Sequence, residues 1–134
     1  MPSHVIALRI PFNDCDPLGV VWHGNYARYF EVARAELMET IDYSYQQMLD
    51  SGYAWPVIDL HVRYVKAIRC GQRICVRASI SEWEYRLKVV YEVTDADSGE
   101  RLSKGHTIQV AVTMPEFEMQ LNSPDILVQK LGIR

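Results

Sequence analysis

Asp14 and Asp16 flank Cys15 in the stretch Phe12-Asn13-Asp14-Cys15-Asp16-Pro17-Leu18-Gly19-Val20-Val21-Trp22-His23-Gly24-Asn25-Tyr26, which ends where a strongly helical segment begins. Two carboxylates, a turn built on Pro17 and Gly19, and a brief apolar run are thereby set directly before a helix N-terminus. A carboxylate in that position suits hydrolysis of an acyl compound. It can attack the carbonyl carbon or activate a water, while unpaired backbone N–H groups at the helix start stabilise the oxyanion. Asp16 is the candidate for this role, weighed against a turn aspartate that only hydrogen-bonds its own loop. Because two close carboxylates repel, Asp14 is assigned the quieter task of a loop-ordering acceptor.

The neighbours divide in the same way between chemistry and architecture. His23 is a candidate proton donor to the reacting group or, structurally, a loop cap. The N–H groups around His23 and Gly24, near the positive end of the helix, are expected to form the oxyanion hole. Gly19 supplies a backbone conformation that larger residues resist, and with it room for an acyl group to approach. Val20, Val21 and Trp22 are candidates to line an acyl pocket, although such a run also packs into cores. Tyr26 is a further candidate contact, while its helical spacing with Tyr29 and Phe30 points first to a core or a subunit interface. The spacing of Asp14, Asp16 and His23 does not match zinc patterns, so no metal is expected. Cys15 would need a base to activate its thiol, and only His23 is close in sequence.

The pattern Asp-x-Asp-x-x-Gly-Val-Val-x-His-x-x-Tyr over residues 14–26, followed by Phe30-Glu31-x-x-Arg34, resembles the hotdog-fold acyl-CoA thioesterases. Asp14-Cys15-Asp16-Pro17 and Trp22 are most similar to the 4-hydroxybenzoyl-CoA thioesterase branch. The likeness is dense over roughly residues 8–40. It implies that Asp16, the second aspartate of the motif, is the catalytic carboxylate, as nucleophile or general base. It implies no cofactor beyond coenzyme A, which is part of the substrate. It also implies that two chains pair their sheets, with each site formed across the dimer interface and two dimers often making a tetramer.

The whole chain is compatible with that resemblance. Its 134 residues bound one domain, 1–134, with a real core and no room for a separate cofactor domain. No apolar run approaches the roughly 18 residues that span a bilayer. Met1-Pro2-Ser3-His4 lacks a basic then apolar export signal, so the expectation is a cytoplasmic protein. Cys15, Cys70 and Cys75 form no Cys-x-x-Cys pair, which agrees with free thiols in a reducing compartment. A net charge of -3 argues against a nucleic-acid partner. Arg63, Lys66, Arg69, Arg86, Lys88 and Lys104 are scattered, as on a solvated surface, although the phosphates of coenzyme A would favour several of them beside a pocket mouth.

The elements that must position the motif follow from periodicity. A first strand is expected over residues 4–11. Tyr26, Tyr29, Phe30, Ala33, Leu37 and Ile41 form an apolar stripe at helical spacing, predicting a helix from Asn25 to Ile41 of on the order of 24 Å. Arg28, Glu31, Arg34 and Glu39 lie mostly off it. A short helix is expected over Ser44–Leu49, ending near Gly52. Four strands then follow over Trp55–Ile68, Gln72–Glu84, Arg86–Thr94 and Arg101–Met114, separated by the turn signals Cys70-Gly71 and Asp95–Gly99. A last helix begins at Ser123-Pro124-Asp125. The sum is α+β, with the helix packed on one face of the sheet, an order that matches the hotdog fold implied by the resemblance, in which an antiparallel sheet of about five strands wraps around a long central helix. The expected activity is hydrolysis of a CoA thioester, with aromatic or short acyl groups favoured through Trp22. The alternatives are thioesters on acyl carrier protein or a non-catalytic acyl-CoA-binding module.

Overall fold

The computed structural model describes residues 1–133. The chain runs through β1 (Ser3–Arg9), α1 (Tyr26–Thr40), α2 (Tyr45–Asp50), β2 (Tyr53–Ala54), β3 (Val57–Tyr64), β4 (Arg73–Glu82), β5 (Leu87–Asp95), β6 (Arg101–Gln109), β7 (Val112–Thr113) and α3 (Asp125–Lys130). Five strands pair antiparallel in the order β1-β4-β5-β6-β3, with β2 and β7 forming a separate two-stranded ladder. β1 and β3 are the edges. The long α1 lies across one face, which is the expected hotdog arrangement.

Strand alternation decides what α1 meets. On β4 the even positions Ile74, Val76, Ala78 and Ile80 are buried, and on β5 the odd positions Leu87, Val89, Tyr91 and Val93 are buried. Both sets face the helix, because neighbouring strands in register share a face. From α1, Tyr26, Tyr29, Phe30, Ala33 and Leu37 enter this layer as the stripe requires. Phe30 is fully buried and stacks on Tyr91 at 4.4 Å, a burial worth about 1.5–3 kcal/mol. The close approach of helix to sheet needs Gly105, since a Cβ there would strike the His61 carbonyl and the Phe30 ring.

Three expectations require correction. Arg34 is not off the stripe but buried, with its guanidinium donating to the hydroxyls of Tyr91 (3.2 Å), Thr107 (3.4 Å) and Tyr45 (3.3 Å). These hydroxyls replace water around a cation that periodicity alone would place outside. The strand expected over Trp55–Ile68 is the shorter Val57–Tyr64. The strand expected to run to Met114 stops at Gln109, because its partners begin there: Val57 and Leu87 both stand opposite Gln109. The chain then turns, and Val112–Thr113 pairs with β2 instead. The other boundaries shift by a residue or two, and the short helix is fixed by reciprocal capping between Ser44 and Gln47.

Candidate active site

The motif lies between β1 and α1 as a loop held on both sides. A 3-10 turn over Phe12–Asp14 leads into Cys15, which bridges to Val21. Val20 bridges in turn to Arg69; Val21 N–H donates to the Ile68 carbonyl (2.8 Å) and Cys70 N–H to the Gly19 carbonyl (3.0 Å). The segment before β4 thus clamps the loop to the sheet. Inside it, Asp16 N–H reaches the Val20 carbonyl (2.9 Å) and Gly19 N–H the Asp16 carbonyl (3.0 Å). Gly19 closes this turn with φ +80°, in open surroundings, so its glycine is explained by backbone conformation.

The two carboxylates have different partners. Asp14 is buried, accepts the Tyr29 hydroxyl at 2.7 Å and pairs with the Arg28 guanidinium at 2.6 Å. Its carbonyl also accepts Trp22 N–H (3.0 Å) and the Asn25 side-chain amide (2.9 Å). Burial, and next the hydrogen bond to Asp14, push the Tyr29 hydroxyl well above the ordinary phenol range. Asp14 is therefore the loop-ordering acceptor, and its charge is met by Arg28. Asp16 is half-buried, and its carboxylate accepts only Leu18 N–H at 2.9 Å, within its own turn, among the described residues. No cation pairs with it there.

A 3-10 turn over His23–Asn25 leads into α1. Trp22 N–H is used by Asp14 and Asn25 N–H by the Trp22 carbonyl, whereas those of His23 and Gly24 meet no protein acceptor among the described residues. They are available to a developing oxyanion. Gly24 has a local reason to be glycine: a Cβ would fall inside the Trp22 indole. The His23 ring is exposed beside that indole, 5.1 Å between centroids, with its carbonyl accepting the Tyr64 hydroxyl at 3.2 Å.

An apolar slot of about 250 Å³ opens beside this turn, lined by Val20, Val21, His23 and Tyr26 from the motif and by Tyr64 to Ala67 after β3. Tyr26 is buried and meets the Tyr64 ring edge-on at 4.7 Å. Of the residues singled out from sequence, Val20, Val21, His23 and Tyr26 come together here. Asp16 is tied to Val20 by its main-chain N–H, and its side chain is not among those lining the slot; Gly19 stays in the turn, and Trp22 is exposed beside Gly24 without lining the slot. Sequence reasoning missed Tyr64. It reads only as the end of a strand alternation, and nothing local indicates that its hydroxyl reaches a carbonyl 41 positions away.

Other chemistry finds less support. The Cys15 thiol is pushed up to about 11, by burial first and then by its hydrogen bond to the Cys70 thiol, the Cys70 charge and the charges of Asp14 and Asp16. A thiol so held is protonated at neutral pH and is a poor nucleophile. Among the described residues no three His, Cys, Asp or Glu side chains are grouped to hold a metal ion. Nor is any helix there long and apolar enough to cross a membrane.

Comparison with known proteins bears on the family and the fold. The sequence is similar to the acyl-CoA thioesterase of Haemophilus influenzae, 32% identical over 76 residues, which span 56% of each chain. Only about half of that relative's length is thus matched. Among solved structures, a DHNA-CoA thioesterase from Staphylococcus aureus superposes with a TM-score of 0.83 at 29% identity, over 90% of this chain and 81% of that one. A 4-hydroxybenzoyl-CoA thioesterase superposes with a TM-score of 0.84 over 97% and 99% of the two chains, sharing the fold at 19% identity. The sequence profile of the thioesterase-like superfamily matches residues 10–120. With the motif loop, the central helix and four of the five sheet strands, β3 to β6, inside that span, the chain belongs to the thioesterase-like superfamily and has the hotdog fold of its thioester hydrolases.

Proposed function

We propose that this protein hydrolyses acyl-CoA thioesters to free acid and coenzyme A, with Asp16 as the catalytic carboxylate. The observation that carries the reading is the juxtaposition at one loop of a cation-free carboxylate, two unpaired N–H groups and an apolar slot. In the base route, Asp16 takes a proton from water as the water oxygen bonds to the thioester carbonyl carbon. The oxyanion is met by the N–H groups of His23 and Gly24. The C–S bond then breaks, and the proton passes to the departing thiolate. In the nucleophile route, the Asp16 oxygen makes the first bond to carbon and water cleaves the resulting anhydride. Both routes use the same donors at the same place.

Aromatic or short acyl groups fit best. The slot of about 250 Å³ lies below the roughly 300–1,000 Å³ usual for larger ligands, and Tyr26 and Tyr64 offer aromatic walls. The test is thiol release from benzoyl-type, short-chain and long-chain CoA thioesters, with an acyl carrier protein thioester alongside. Turnover of an aromatic or short acyl-CoA with the highest kcat/KM is expected. Absence of thiol release from the whole panel would refute the activity, and a long-chain optimum would refute only the acyl preference.

We further propose that two chains pair through β3. It is an edge strand, and it leaves Ile58 and Leu60 about half exposed, next to Tyr64 and Val65 of the slot. Open apolar edges are normally paired or covered, and a partner at β3 would wall the slot. Light scattering at micromolar concentration should give at least twice the 15.5 kDa chain mass; a monomer would overturn the pairing.

A further inference from the structure

The sheet face turned away from α1 carries a second polar site. Alternate residues of β3 to β6 form a groove there of about 540 Å³. Across it runs one row in register: Arg77 opposite Glu92, Glu92 opposite Lys104, and Lys104 opposite Arg63. The Glu92 carboxylate is taken by Arg101 at 2.8 Å. Arg63, Arg77 and Lys104 therefore face the groove with no carboxylate at ion-pair distance among the described residues, and Arg77 donates only to the Ser3 hydroxyl at 3.2 Å. Like charges directly across a ladder, as at Lys104 and Arg63, cost stability. They are not a by-product of composition, since the chain as a whole carries -3.

The next row along the strands is different. Val90 stands opposite His106, and His106 opposite His61, with the two imidazoles stacked at 5.3 Å and 27°. The exposed Val90 side chain and these rings make a flat platform beside the cationic row. Burial first, then Lys88, hold the His106 imidazole below its ordinary value, with His61 and Arg86 adding to this and Asp59 opposing it. The His106 ring is thus biased toward its neutral form, and it is the one that stacks on His61.

We propose that this outer groove binds a nucleoside phosphate, with Arg63, Arg77 and Lys104 on the phosphates and the His61–His106 pair with Val90 against the base. Guanidinium groups match phosphate oxygens in pairs, and the volume lies within the range of small-ligand sites. A second copy of the chain is a poor occupant, because the same cationic face on both sides repels. The chemistry can be supplied by a free nucleotide or by the adenosine phosphate end of a coenzyme A molecule. The site stands on its own residues, whichever acyl group Asp16 handles.

The test is titration of the full-length protein with ADP, read by imidazole NMR signals and by calorimetry. Saturable displacement of the His61 and His106 signals is expected. Arg63→Gln combined with Lys104→Gln should weaken ADP at least about tenfold, the scale of lost charge-assisted bonds. Arg9→Gln with Arg73→Gln, an adjacent like-charged pair on the same face outside the groove, should change it little. Competition between ADP and coenzyme A would assign the groove to the coenzyme's nucleotide end, and simultaneous binding to a free nucleotide. No imidazole displacement at millimolar ADP, or equal weakening by the two double variants, would overturn the proposal.

Discussion

Asp14 and Asp16 sit two residues apart in one loop, yet the fold treats them oppositely. Asp14 is turned inward, where Arg28 and the Tyr29 hydroxyl, both from the first turn of α1, meet its carboxylate. Asp16 is half-buried in the turn that follows, with one hydrogen bond from that turn and no cation. Strand alternation would put both on one side, but Asp14 closes the 3-10 turn over Phe12–Asp14 while Asp16 opens the turn that Gly19 closes, and the helix start supplies partners only to Asp14. A carboxylate already paired is a poor nucleophile or base, because attack would sacrifice an ion pair in a desolvated place. The difference teaches that such a site needs two acids of unlike environment, one to lock the loop against the helix and one left unspent for substrate.

The largest effect should come from the unspent one. Asp16→Asn is expected to lower turnover on the best thioester by at least about a hundredfold, the usual contribution of a positioned acid or base, with thermal stability close to that of the parent. Near-parental turnover in a folded Asp16→Asn protein would break the comparison at its centre.

Asp14→Ala should act on stability first. It strands the buried Tyr29 hydroxyl and removes the partner of a half-exposed Arg28, together worth about 2 kcal/mol, measured by urea unfolding. Activity should fall only as far as the loop loosens. A folded variant with unchanged stability but turnover as low as that of Asp16→Asn would show the roles to be reversed.

A smaller and purely structural effect is expected at Asp95, a third carboxylate, in the turn between β5 and β6. It accepts N–H from Ser98 (2.8 Å) and Asp97 (2.9 Å) and the Gln72 amide (2.7 Å). The Ser98 N–H first, then Gln72 and Asp97, hold its carboxyl at about 2, below the ordinary 3.8. Because the folded value is the lower one, the stabilisation is present above the ordinary value and is lost as pH falls through it toward about 2. The stability gap between parent and Asp95→Asn should therefore shrink over that window while catalysis is untouched. A gap independent of pH would refute the assignment.

Much of this was readable from the chain. The period of three and four over α1, the period of two on β4 and β5, and the glycine-bearing turns are local patterns, and local backbone geometry is enough to produce them. The motif reads as a loop before a helix for the same reason, which is how Asp16, His23, Gly24 and the Val20–Val21 wall can be named as candidates before any coordinates. Arg34 misled because its burial depends on hydroxyls from β5, β6 and the start of α2, none of them visible in its own helix. The end of β6 misled because a strand lasts only while its neighbours do.

By itself the sequence determined the kinds of elements, their order and the residue types at the motif, since these follow from side-chain spacing along a few turns or strands. Tertiary structure alone decided who meets whom. The strand order β1-β4-β5-β6-β3 leaves β3 at an edge, brings Tyr64 to the His23 carbonyl and aligns Arg63, Lys104, His61 and His106 on the outer face. The physical reason is that these meetings join residues tens of positions apart. They exist only once loop closure has been offset by the burial of the shared core between α1 and the sheet.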